Sequence, residues 1–400
     1  DALPICFYEG LRDTNGITGE VADRLWDKIV AFASYGFPES HAQSFASLVY
    51  YSAWLKHHYP AEFCVALLRA QPMGFYSPQS LIADARRHGV RILPVHINES
   101  GVEADTVVDC PDLNCPTPDS PHNQPRGIHG LGRGTAEPVG SIRLGLASIT
   151  GIGTAVAERI VDVRERLGEY RSISDLSREA DLTVAQVEHL ARAGALEPLG
   201  MSRRQAVWAA GIAATERAGM LPGTSHLDAP ALPGMSSFEL AAADLASTGV
   251  TPEGHPVELL RGYLNSWHEQ PIRTGAKAGQ IRGGAAVVAS EKLLTVPNGT
   301  RVRVAGVVTH RQRPMTAGGA VFFGIEDETG MANVMVTKGL WSKQRLEALS
   351  TRLVVIRGIV YNSTGAASVT ADLIEPVEAE LVAVGMGQAA QLGSRSRDFQ

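Results

Sequence analysis

Ile149-Thr150-Gly151-Ile152-Gly153 places two glycines one residue apart among apolar residues, and Ala157 and Ile160 follow at helical spacing. A turn of this form between two helices is the helix-hairpin-helix signature, and its chemistry suits an anion. Glycine lets the backbone approach a phosphate closely, and the unbonded N–H groups of the helix that starts there face it. Arg159, Arg164 and Arg166 follow in sequence and can add charge. Such a contact reads phosphates rather than base edges, so it is indifferent to base sequence. Gly-x-Gly alone also fits a plain helical hairpin with glycines in its turn. A second copy of the pattern is expected over Leu182 to Leu190 with Ala193-Gly194-Ala195-Leu196.

Three other constellations can carry chemistry. From Arg301 to Leu373 the text reads as three strands, a helix at Leu340 to Leu349, and two more strands. That order is the order of the OB-fold, a small five-stranded barrel that commonly binds single strands. Arg311, Arg313 and Lys338 fall at its loops, where backbone contacts would form. Phe322 and Phe323 are adjacent, so they point to opposite faces and at most one can face a nucleic acid. A barrel used only for packing or protein contacts fits the same text. Cys110 and Cys115, with His122 and His129 downstream, hold the ligand types of a zinc site. Their spacing is wider than a tight knuckle, and two reduced thiols in a linker fit better. Finally, Tyr35-Gly36-Phe37-Pro38-Glu39-Ser40-His41 breaks one helix and opens the next, with Ser40 as the expected N-cap and Gln43 completing a capping box.

These residues need helices and strands to position them. Apolar residues at helical spacing predict a helix over Ala22 to Ala33 and another from Ser40 to His58. Pro60 can open a third and Ser77-Pro78 a fourth, which ends at Gly89. Val90 to Val95 and Asp105 to Val108 read as short strands. Residues 98–140 are rich in Pro, Gly, Asp and Asn and read as a connector. Helical text is expected from Ser141 to Ala214, followed by a linker and a small mixed segment. The expected division is 1–97, 98–140, a tandem hairpin domain at 141–215, 216–295, a barrel at 296–378, and a tail at 379–400.

Composition narrows the function classes. With 36 Lys and Arg against 42 Asp and Glu, the net charge of −6 excludes binding nucleic acid by bulk charge alone. Any grip on phosphate must be local. Four cysteines among 400 residues suit a reducing cytoplasm. No run of apolar residues is long enough to span a membrane. The sequence begins Asp1-Ala2-Leu3-Pro4 and reads as if it started in mid-domain, so a piece of a longer chain is expected.

Phe32 to Ala42, Tyr51-Ser52-Ala53-Trp54-Leu55-Lys56 and His58-Tyr59-Pro60-Ala61-Glu62-Phe63 closely resemble the end of the fingers region of bacterial C-family DNA polymerases. The resemblance runs on in order through the turn at Gly151 and Gly153, Leu232-Pro233-Gly234-Met235, Thr248-Gly249, His255-Pro256 and Ile325-Glu326-Asp327-Glu328-Thr329-Gly330. Pro38-Glu39 before Ser40-His41 resembles the error-prone, damage-inducible ImuC-type branch. So do Gln71 to Tyr76 and the ending Ser394 to Phe399.

The resemblance implies a multidomain α and β chain: a helical fingers end carrying Tyr35, Gly36, Phe37, Ser40 and His41, then tandem hairpins, then the OB barrel. It implies the DNA-binding portion of a translesion polymerase. Its partners would be duplex primer-template, single-stranded template, and an accessory mutasome protein that links it to the sliding clamp. In this family, paired palm aspartates hold Mg²⁺. Their Pro-Asp-x-Asp motif does not occur here, so the chain alone is expected to be inactive. A glutamine-led clamp peptide is absent between Gln205 and Arg301. A replicative alpha subunit, a non-catalytic hairpin and barrel protein, and a tRNA-binding module are the alternatives.

Overall fold

The computed structural model describes residues 2–34, 39–74, 76–107, 140–216, 229–272, 280–363, 365–377, 381 and 397–399. The chain divides into two compact units, Asp1–His58 and Tyr59–Gln400. The first holds helices α1 (Ala2–Asn15), α2 (Glu20–Ser34) and α3 (Glu39–His58). Trp26 of α2 lies against Phe7 and Tyr8 of α1, with ring centroids 5.1 and 6.0 Å away. Helix α3 starts at Glu39, so Ser40 falls inside its first turn rather than at the cap position ahead of it. Tyr35, Gly36 and Phe37 lie outside the described residues, as do Cys110, Cys115, His122 and His129.

In the second unit, Pro60 opens α4 (Pro60–Arg69), and the Ser77 hydroxyl caps α5 (Pro78–Arg87) by accepting from the Ser80 N–H. Gly89, at φ +85°, turns the chain out of α5 into β1 (Arg91–Leu93). Beyond it lie β2 (Asp105–Val107) and β3 (Ser141–Arg143), which form one small sheet in the order β1-β3-β2. The expectation of helix from Ser141 is thus corrected. Ser141 and Ile142 are buried in the central strand, and helix resumes only at α6 (Thr154–Leu167). Helices α7 (Ile173–Glu179), α8 (Val184–Arg192) and α9 (Arg203–Ala213) complete this body.

One apolar core joins Cys64 and Ile82 of α4 and α5, Ile92 and Ile142 of the sheet, and Ile149, Ile160, Leu190 and Ala209 of the helical hairpins. The expected divisions at 97 and 140 therefore fall inside a continuous core. Short strands cannot bury their faces alone, and here they do so between the two sets of helices.

Helices α10 (Ser237–Thr248) and α11 (Pro256–Asn265) precede the barrel of β4 (Arg301–Gln312), β5 (Val321–Glu326), β6 (Met331–Val336), β7 (Leu353–Ser363) and β8 (Ala366–Pro376). Between β6 and β7 lie the short helices α12 (Lys338–Lys343) and α13 (Arg345–Ser350). The strands run β5-β6-β8-β7-β4, and β4 pairs back to β5, closing a five-stranded barrel. Only β6 and β8 pair in parallel among these five. This is the OB-fold expected from the sequence.

Alternation divides β4 between two cores. Val302, Val304 and Val308 point into the barrel, while Ala305 and Val307 pack outward with Val257, Leu260 and Leu264 of α11. The helices before the barrel are thus part of the barrel's packing. No described helix is long and apolar enough to cross a membrane.

Candidate nucleic-acid interface

The turn at Gly151 is built from inside outward. Ile149 and Ile152 are buried and anchor it, while Gly151 and Gly153 stay exposed. Gly151 has φ +86°, a conformation that glycine adopts without strain. A side chain there would start 2.4 Å from Cδ2 of His189, whose ring fills that space from α8. Gly151 therefore makes room for a side chain of the protein, not for a ligand. At Gly153 the backbone is ordinary, at φ −76° and ψ 166°, and a side chain would meet nothing within 4 Å. Gly153 is the position that leaves open space.

Gly153 is also the N-cap of α6, and no side chain caps that helix. Thr154 and Ala155 beside it are exposed. An uncapped helix start presents N–H groups and the positive end of the helix dipole to whatever approaches. Thr150 N–H donates to the Ser247 carbonyl at 2.6 Å, so the end of α10 braces the turn.

The second copy of the turn has its left-handed residue at Asp181, 13 positions before the expected Gly194. Asp181 takes φ +47°, Leu182 is buried, and Thr183 is the N-cap of α8. These three repeat the roles of Gly151, Ile152 and Gly153. Asp tolerates the left-handed conformation better than most side chains, which hides the repeat from a search for glycine. The two turns differ chemically. Thr183 and Gln186 form a capping box that satisfies the start of α8 internally.

The arginines near the first turn are engaged elsewhere. Arg159 donates from Nε to the Ala180 carbonyl at 2.6 Å and from Nη2 to Asp181 at 3.3 Å, tying α6 to the second turn. Arg164 donates to the Ile97 and Ser100 carbonyls at 2.8 and 2.9 Å. Both Arg164 and Arg166 sit in the last turn of α6, about 16 and 20 Å along the helix from Gly153. Nearness in sequence put them with the turn; the rise of the helix carries them away.

On the barrel, Arg311 also differs from expectation. It is 4% exposed. Its guanidinium donates to the carbonyls of Ala348 and Thr351 and lies 5.3 Å from the Phe323 ring centroid. It bridges β4 to the end of α13 and cannot reach a strand of nucleic acid. Arg313 and Lys338 are exposed, and Lys338 lays its stem along Gly319 in the β4–β5 loop. They stand at one rim of the barrel. Phe323 is 1% exposed, edge-on to Trp341, whereas Phe322 is 37% exposed. Phe322 is therefore the outward member of the pair.

Strand register extends Phe322 into a surface. Phe322 stands opposite Met335, Met335 opposite Thr370, Thr370 opposite Ile359, and Ile359 opposite Arg301. A second row holds Asn333, Ser368 and Tyr361, the last 50% exposed. Aromatic rings on an outward sheet face suit stacking on bases, which does not depend on base identity. Asp372 pairs with both Arg301 and Arg357, at 3.0 and 2.6 Å, so the face keeps a net positive edge. The sequence signal for this face was the Phe pair; Tyr361 and Met335 join it only through register.

The body and the barrel meet through three consecutive carboxylates. Glu326 accepts from the Ser80 hydroxyl of α5 at 2.7 Å, with Arg87 3.8 Å away. Asp327 accepts from the N–H groups of Ser290, Thr329 and Gly330. Glu328 takes both Nε and Nη2 of Arg261 in α11, at 2.6 and 2.7 Å. Burial pushes the Glu326 carboxyl above its ordinary range. His255 caps α11 by accepting the Val257 N–H at Nδ1, and burial pushes its imidazole down to about 4. Among the described residues, no group of three or more His, Cys, Asp or Glu is placed to hold a metal. Most oxygens of the acidic turn meet hydroxyl, amide or guanidinium donors, while Glu326 Oε1 is buried with no hydrogen-bond partner among the described residues.

A family model for the helix-hairpin-helix motif matches residues 89–206. Relatives match across nearly the whole chain. An error-prone DNA polymerase of Corynebacterium jeikeium is 66% identical, covering 98% of this chain and 34% of the relative. Those of Nocardia farcinica and Mycobacterium tuberculosis are 48% and 45% identical, each over 98% of this chain and 30% and 31% of their own length. Among solved structures, asparaginyl-tRNA synthetase from Pyrococcus horikoshii matches 22% of the chain at 26% identity and a TM-score of 0.19. An OBody bound to hen egg-white lysozyme matches 20% at 24% identity and a TM-score of 0.17. The barrel's identity rests on its own strand order. The chain spans about a third of the length of the curated relatives it matches. Hairpins, barrel and sequence together make this chain homologous, over nearly its whole length, to one stretch of the error-prone DNA polymerases.

Proposed function

We propose that this chain is the DNA-holding portion of an error-prone DNA polymerase that works in damage-induced mutagenesis and translesion synthesis. The observation that carries the reading is the start of α6: exposed at Gly153, open to a ligand and capped by no side chain. The backbone amides of Gly153, Thr154 and Ala155 take a phosphate of duplex primer-template. Gly151 shapes the turn that presents them. Because the amides supply the contact, no basic surface is needed, which agrees with the net charge of −6.

The barrel takes single-stranded template across Phe322, Met335 and Tyr361, with Arg313 and Lys338 at the backbone. Arg159, Arg164 and Arg311 act by holding the fold. The fingers residues Tyr35 to His41 belong to the polymerase's nucleotide end. Phosphoryl transfer falls to palm aspartates and Mg²⁺ outside this chain, which supply the activated primer hydroxyl. This chain alone binds DNA without extending it. Recruitment to the clamp comes through an accessory protein, in the cytoplasm. Relatives of three genera that match across the chain are named error-prone DNA polymerases, which favours this reading over a replicative subunit or a tRNA-binding module.

Fluorescence anisotropy with a primer-template junction tests the reading. Saturable binding by this chain, with no primer extension in Mg²⁺ and nucleotides, is expected. Absence of binding at low salt contradicts the proposal.

A further inference from the structure

Strand β4 is longer than either neighbour can cover. β7 pairs with it from Arg301 to Val307, and β5 pairs with it from Val307 to Gln312 on the other edge. Beyond Val307 the first edge has lost β7, whose place is taken at Val308 by a single bond from its N–H to the Arg352 carbonyl. A strand edge of this kind presents backbone donors and acceptors that readily accept another extended segment. The segment found there is a later stretch of the same chain. Strand β9 (Arg397–Phe399) lies parallel to β4, with Arg397 opposite His310, Asp398 opposite Arg311, and Phe399 opposite Gln312.

We propose that the edge of β4 at His310–Gln312 is a strand-docking site whose resident ligand is strand β9 of the same chain. This strand then exists in two forms, docked as a sixth strand or released for capture by a partner protein. Three features of the pairing support exchange. It is three residues long, it lies outside the five-strand closure of the barrel, and it is attached covalently. Fifteen residues separate Leu381 from Arg397. Tethering on this scale gives an effective concentration on the order of millimolar, so a weak pairing is filled in cis yet yields to a tighter partner. The five barrel strands close on one another without β9, and Val302, Val304 and Val308 pack with residues of β5 to β8 and α13. Recognition is through main-chain bonds, so the site selects an extended backbone before it selects side chains.

The test uses the chain ending at Gly393 and a fluorescent peptide of residues 391–400. The expected result is saturable binding to the shortened chain and at least about tenfold weaker binding to the full chain, whose site is already filled. An Asp398→Pro peptide, which lacks the central amide and carries one negative charge fewer, is expected not to bind. The same substitution in the full chain is expected to open its edge to the wild-type peptide, with circular dichroism confirming that the barrel stays folded. Three results overturn the proposal: no binding to a folded shortened chain, equal binding to both chains, or equal binding of the proline peptide. The last would show that binding does not need the strand's backbone amide.

Discussion

Gly151 and Gly153 stand one residue apart and do different work. Gly151 holds a left-handed turn against the ring of His189, so Gly151→Val strains the backbone and collides with α8. We expect a loss of about 2–4 kcal/mol of stability, read by urea unfolding. Gly153→Val meets open space and keeps its backbone angles, so its melting temperature should stay within a few degrees of the parent. Its affinity for duplex DNA should nonetheless fall roughly tenfold, because the branched side chain screens the amides of α6. Equal affinity in that folded variant would remove the turn from the interface. Both glycines were legible as a turn from their spacing alone. Their division of labour was not, since it depends on His189 reaching back from another helix. His255 offers a second test at this scale. Its imidazole, ordinarily near 6.5, is pushed down to about 4 by burial, so the unfolded chain binds its proton first as pH falls. The stability of the neutral cap is complete above about 6.5 and is lost as pH drops toward 4. Buried Glu326 and Asp244, whose carboxyls are raised, act in the opposite sense over the acid range. His255→Asn keeps a capping oxygen without a titrating group. Its unfolding free energy should fall less steeply than the parent's between pH 6.5 and 4; parallel curves would show that His255 carries none of the dependence.

Among the elements, β4 and its neighbours show where pattern reading succeeds and where it stops. Strand order, helix position and the opposed directions of Phe322 and Phe323 follow from local alternation, and the closed barrel agrees with them. Arg311 looked like a loop cation because it stands at a strand end. Its burial against Ala348 and Thr351 depends on where α13 ends, which no local pattern records. Arg311→Ala should therefore cost about 2–4 kcal/mol of stability, through orphaned carbonyls, while leaving single-strand affinity of the folded protein unchanged. Phe322→Ala with Tyr361→Ala should do the reverse. Each ring stacked on a base is worth about 1–3 kcal/mol, so the pair should weaken binding of a short oligothymidine by at least about tenfold. Competition titrations and thermal melts on the same variants separate the two effects. If the aromatic pair changes nothing, the outward face is not the strand-binding face. The small sheet β1-β3-β2 was missed in part because Ser141 to Arg143 is too short to show a period, and its strands come together only in three dimensions.

For the molecule as a whole, hairpin body and barrel share their scaffolding. Glu326 reaches α5, Glu328 reaches α11, and Asp327 binds the chain before the barrel, so the two surfaces proposed to face DNA are held by one acidic turn. The sequence showed the acidic run without its partners, which lie as far away as Ser80. Its colinear motifs showed the likeness to DNA polymerases, yet its divisions at 97, 140 and 296 fall inside packed cores, because burial is set by folding and not by composition. The central claim is that this scaffold holds primer-template DNA by backbone phosphate contacts at the start of α6 and by base stacking on the barrel. The measurement that bears on it most directly is the affinity of the whole chain for one primer-template junction, in several unrelated sequences, across a series of salt concentrations. With few cations at the interface, the account predicts nearly equal affinities for all sequences and a shallow salt slope, equivalent to about one to three phosphates. Gly153→Glu, which sets a negative charge before the α6 amides, should weaken every complex by a similar factor. Affinity that depends on base sequence, or a Gly153→Glu chain that binds as tightly as its parent, would contradict it.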